Sequence, residues 1–279
     1  AMKNILKIML MMITIYTIAG SAVYAAEIPV SDQDQLITSR DWTEISNLQD
    51  EMKKEEPDAT IDYDKALKVY VDCNLIKLQT ADTKKLTSAL ESANYVWVIP
   101  FKMEKTYGMF TVAKGLPLRE EAKSVLTKAE QEEVKNHAGK WMITETAEHT
   151  VEPYYDILLE KREALSDCTR VVLVGSQPGM RQPVALGMDD ETARIWISLG
   201  YQYPVMEKIP ETQNVESGVY SFESVADISD TYIEDSEVST GAGVQSRSSM
   251  KYVAGIGIIV IGSILILSVL KKKKLEDYE

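Results

Sequence analysis

An uncharged apolar run, Tyr252 to Leu270, followed at once by Lys271 to Lys274, constrains this chain more than any other part of its sequence. At about 1.5 Å per helical residue the run matches the hydrocarbon thickness of a bilayer, roughly 30 Å, so residues 251–270 are expected to form one transmembrane helix. The lysines resist passage through hydrocarbon and mark the cytoplasmic side. Residues 271–279 then form a cytoplasmic tail too short to fold. Every folded part must precede the span.

At the other end, Lys3 and Lys7 precede the apolar stretch Ile8 to Ala19, and compact residues surround Val23-Tyr24-Ala25. This is the pattern of a secretory signal over residues 1–25, with cleavage expected after Ala25. An uncleaved first membrane helix is the weaker reading, because the run is short for a span and holds Thr14 and Thr17. Asn47, Asn74, Asn94, Asn136 and Asn214 each lack a hydroxyl residue two places on, so none is an N-glycosylation acceptor. An exported domain of this kind fits a bacterial cell surface, with the amino-terminal part outside and a single pass through the membrane. Glu237-Val238-Ser239-Thr240-Gly241 keeps the Thr-Gly of a wall-sorting signal but lacks the Leu-Pro, which favours retention in the membrane.

The formal charge of −13 repels nucleic acid and anionic lipid and favours cationic partners or none. From Val205 to Met250, acidic residues, Ser, Thr and Gly dominate without an apolar period, so residues 205–250 are expected to be a flexible acidic stalk, with a short helix allowed around Val219 to Ile233. Residues 26–204 are left as one extracytoplasmic domain. Trp42, Ile45, Leu48 and Met52 recur at helical spacing, with Asp41 and Glu44 placed to cap the start. "KALKVYVD" alternates as a strand, "DTKKLTSALES" reads as a helix, and "YVWVIPF" with "MFTVAKG" reads as a hairpin. Pro117 opens one long charged helix that Gly139 stops. "KWMITETAE" is a strand, Pro153 begins another helix, and "RVVLVGS", "PVALGM" and "ARIWISLGY" are three short strands. The fold class is therefore α+β, an exported globular domain with helices and short, largely antiparallel strands, followed by the stalk and the span. Helix, strand, turn, strand occurs at Thr83 to Lys114 and again at Tyr154 to Met188, either as a duplicated unit or as ordinary α+β grammar.

Cys73 and Cys168 are the only cysteines, and in an oxidising compartment they could form one disulfide or remain two buried thiols. Catalytic motifs are weak throughout. His137 closes a charged helix, where an imidazole complements the helix dipole. His149 stands among Glu145, Glu148 and Glu152, but alternation and Pro153 argue against the helix that would gather them. Ser176 lies in Gly-Ser-Gln-Pro-Gly, which has the wrong spacing for a nucleophile elbow. Asp62 and Asp64 lack the remaining ligands of a calcium loop. No metal site, cofactor or nucleic-acid partner is expected. Trp196, Tyr201 and Tyr203 cluster near the end of the domain and could stack on a ligand or close the core. The sequence implies a membrane-anchored binding or interaction module for a surface ligand or membrane protein. The alternatives are a surface hydrolase working through acidic residues, or an accessory subunit whose span packs through Gly255 and Gly262.

Overall fold

The computed structural model describes residues 28–229 apart from 150, 151, 176, 179, 181, 202, 212 and 213. The expected signal, the span Tyr252 to Leu270 and the tail lie outside the described residues. Among the described residues, no helix is long and apolar enough to cross a membrane.

One sheet organises the domain. Its strands are β1 (Thr60–Ile61), β2 (Leu67–Tyr70), β3 (Tyr95–Lys102), β4 (Tyr107–Lys114), β5 (Trp141–His149), β6 (Arg170–Val174), β7 (Val184–Met188), β8 (Ala193–Ser198), β9 (Asn214–Glu216) and β10 (Val219–Ser221). They lie in the order β5-β4-β3-β2-β6-β7-β8-β10-β9, with β1 on β3. Every pairing is antiparallel except β2 with β6. The protein is an α+β domain with a mostly antiparallel sheet and few helices. The single parallel pair welds an amino-terminal meander to a carboxyl-terminal one.

Both faces of the sheet are covered, which explains why the central strands lack the expected alternation: Leu67–Tyr70 and Val184–Met188 are buried at every position. On one face, Leu36, Ile45 and Met52 pack on Trp97, Ile99, Phe101, Phe110 and Val112. On that same face, helix Thr83–Ser92 sends Leu86 and Leu90 down onto Val172, Val174, Leu186 and Trp196. Asp82 caps this helix by accepting from the Lys85 amide at 3.0 Å. On the opposite face, helix Tyr154–Glu160 packs Tyr154 and Leu158 over Val69, Val98, Val171 and Leu173. The two similar helix-strand-turn-strand stretches are therefore built differently, since their helices lie on opposite faces and the first covers strands of the other meander.

Three expectations change. The helix read through Trp42 and Met52 is broken into Trp42–Ile45, a 3-10 turn at Ser46–Leu48 and Gln49–Glu55. The long helix from Pro117 is also interrupted. Thr127 accepts from the Glu130 amide while Glu130 accepts from the Thr127 amide, and this capping box starts a new helix at Lys128–His137. Gly139 stops it with φ 76°, as its sequence position implied.

The third change is larger: no spacer begins at Val205. Val205, Met206 and Ile209 are buried, β10 pairs with β8, and 222–229 are helical, where the sequence allowed a short helix, with Phe222 and Val225 in the core; the remainder of the expected stalk, 230–250, lies outside the described residues. Composition averaged over 205–250 hides these apolar residues because they are spaced singly among acidic ones.

Candidate functional site

The amino-terminal segment creates the most unusual place in the sheet. β2 and β6 pair only at Val69 with Leu173 and Tyr70 with Val174, and towards their amino ends residues 28–36 occupy the gap. Val30 bridges to Val171 of β6, and Gln35 bridges to Leu67 of β2. Ile28 and Val30 belong to the core on one face, while Leu36 belongs to the core on the other. The segment therefore threads through the sheet at a fork between two central strands.

Asp34 is buried in that fork, 2% exposed. Its Oδ2 accepts from Ser31 Oγ at 2.6 Å and from Arg170 Nη2 at 2.9 Å, and its Oδ1 accepts from the Tyr70 hydroxyl at 2.8 Å. Lys68 Nζ stands 3.6 Å from Oδ1. One cation thus comes from each prong, Lys68 from β2 and Arg170 from β6. Lys68 lies opposite Trp97 and Tyr70 opposite Tyr95, so alternation puts all four on one face. The ammonium rests over the rings of Tyr95 at 4.6 Å, Trp97 at 5.3 Å and Tyr70 at 5.7 Å. Asp41 closes the cluster, accepting from Tyr95 hydroxyl at 2.8 Å and Trp97 Nε1 at 3.0 Å. Asp41 does occupy the N-cap position of helix Trp42–Ile45, but its carboxylate turns inward and caps no amide.

Burial alone would raise the Asp34 pKa, but the hydrogen bonds from Ser31 and Arg170, the Arg170 charge and the Tyr70 hydroxyl together hold it below its ordinary value. Burial pushes the Lys68 ammonium down, and nearby Asp34 and Asp41 offset this only in part. The chemistry follows from these contacts. Asp34 is an ionised acceptor of three hydrogen bonds and lacks the raised pKa that a general acid or base needs.

At the opposite, carboxyl ends of β2 and β6, open parallel sheets commonly bind ligands. Here Gln177 fills the position. Its Oε1 accepts from the Leu75 amide at 2.9 Å, and its Nε2 donates to the carbonyl of Cys73 at 2.7 Å and of Gly175 at 3.1 Å.

The aromatic residues singled out from the sequence do come together. Trp196 is wholly buried and stacks on Phe222 at 5.7 Å, and Tyr203 is buried with its hydroxyl donating to the Pro183 carbonyl. Tyr201 is half-buried, its hydroxyl 3.2 Å from that of Tyr154. Cys73 and Cys168 are separate thiols, packed in clusters on opposite faces of the sheet, so the geometry favours two thiols over a bridge. Burial pushes Cys73 up to about 12, with Asp72 adding to the effect, and pushes Cys168 up to about 11. Both are expected to react slowly with iodoacetamide in the native protein and to give two adducts after denaturation without reductant. An unreactive denatured chain would instead indicate a bridge.

His149 lies on β5 rather than on a helix, and among the described residues no group of three His, Cys, Asp or Glu could hold a metal ion. Sequence reasoning missed Asp34, Lys68 and Arg170. Asp34 sits in an unremarkable polar run, and Lys68 occupied what read as the solvent side of an alternating strand.

No protein-family model, curated protein or solved structure matches this chain.

Proposed function

We propose that the protein is a membrane-anchored binding or interaction module displayed on the outer side of a bacterial cell membrane. The observation that carries this reading is the commitment of the buried charges. Asp34 and Asp41 are each occupied by several donors and tie strands and amino-terminal segment together. A hydrolase would need two carboxylates of separated pKa converging on a reacting atom. The apolar run Tyr252 to Leu270, its lysine stop and the signal-like amino terminus support the location.

Protease added to intact cells is expected to remove the domain and leave a membrane-bound stub. Deleting Tyr252 to Glu279 is expected to weaken cell-surface binding without changing the released domain's affinity, because the anchor supplies only local concentration. Replacing Leu275 to Glu279 by a neutral stretch should leave both unchanged. A protected full-length protein, or loss of binding from the tail replacement alone with display intact, would refute the proposal.

A further inference from the structure

The two ends of the sheet are finished differently. β9 is only three residues long, which makes it a poor template for another strand. β5 spans Trp141–His149 and pairs with β4 from Tyr107 to Lys114 with one register shift, between Thr111 and Val112; beyond it Glu145 to His149 pair in regular register, and no other described strand pairs with the outer edge of β5. Trp141 and Thr144 are buried, and Thr146 donates to Glu55 on the helix beside it, so the strand is held in place before any partner arrives.

Its charges set what could pair there. Glu145 and Glu148 are both exposed. Glu145 lies opposite Thr111 and Glu148 opposite Gly108, which places the two carboxylates on opposite faces of the sheet. Thr146 lies opposite Phe110 and shares a face with Glu148, so Glu55 adds a third carboxylate on that side. A second copy of this acidic strand would bring like charges together across the new pairing.

We propose that β5 is a docking edge that adds an extended, lysine- or arginine-bearing peptide segment of a partner as a further strand. Main-chain hydrogen bonds would supply the pairing, and cationic side chains on both faces would answer Glu145 and Glu148. The inference rests on the binding-module reading and names the partner's chemistry.

The test uses the full chain in a neutral-lipid nanodisc, with a synthetic Thr/Val peptide of about ten residues carrying two lysines. Amide hydrogen exchange across Trp141–His149 is expected to slow at least about tenfold with this peptide. A version with Glu for Lys, and one with alternate amides N-methylated, should leave exchange unchanged. Combining Glu145→Lys with Glu148→Lys, both at exposed positions, should reverse the preference between the Lys and Glu peptides. Unchanged exchange over β5 at saturating Lys peptide overturns the proposal, as does equal protection by the N-methylated peptide. If cell-surface binding persists undiminished in the charge-reversed protein, the docking edge is wrong while the binding-module reading stands.

Discussion

A chain ending at Pro204 is expected to be unfolded, with no cooperative thermal transition, whereas one ending at Ser229 should melt as a single unit. The cut removes Val205, Met206, Ile209, Val219, Phe222 and Val225, each no more than 5% exposed. At about 1.5–3 kcal/mol for each buried side chain, the loss is of order ten kcal/mol, comparable to the whole stability of a typical domain. Extended-chain areas make this an upper figure, but half of it would still unfold a marginal protein. The cut also uncovers Trp196, which loses its stacking partner Phe222. Circular dichroism and calorimetry on the two truncations decide the matter. A cooperative transition in the shorter chain would show that 205–229 is an accessory layer.

Asp34→Ala is expected to destabilise the domain by about 3–5 kcal/mol, because it strands the buried Lys68 and the part-buried Arg170 without their shared anion. Lys68→Met in that background should recover part of the loss, since one stranded charge goes with it. Lys68→Met alone should be close to neutral, because an unbranched apolar side chain suits the three-ring cage and Arg170 still pairs with Asp34. The same group sets an acid limit. With its folded pKa below the unfolded value, Asp34 contributes stability that is fully present above about 3.8 and is lost as pH falls through the folded value. The stability difference between wild type and Asp34→Ala should therefore narrow below that pH. Urea unfolding at neutral and acid pH measures both effects. A neutral-pH difference under about 1 kcal/mol would mean that the fork holds by packing alone.

Most elements were legible because each carried a local signal. Leu86 and Leu90 at helical spacing after Asp82, the β-branched and aromatic run Tyr95 to Phe101, and the three short carboxyl-terminal strands all formed where expected. The fork was illegible for a physical reason. Asp34, Lys68 and Arg170 are far apart in sequence, and nothing local to any of them signals a partner; only the parallel pairing of β2 with β6 brings them together. Lys68 misled in particular, because a strand covered on both faces can bury a lysine at a position that alternation assigns to solvent. The last layer of the core was missed through averaging, since Phe222 and Val225 stand within an acidic stretch.

The threaded segment also fixes an order of events in time. Ile28 to Leu36 leave the ribosome early, yet their neighbours Arg170 and Val171 are made long afterwards. Until β6 exists, β2 has no parallel neighbour and the first residues have no gap to cross. Such distant pairings carry the full entropy of closing a long loop before any contact rewards it, which is the condition for slow, late folding. Gln35 and Leu36 can settle on Leu67 and the amino-terminal core early, but Val30 and Asp34 gain their partners Val171 and Arg170 only after β6 is made, so the fork is closed from its carboxyl-terminal side.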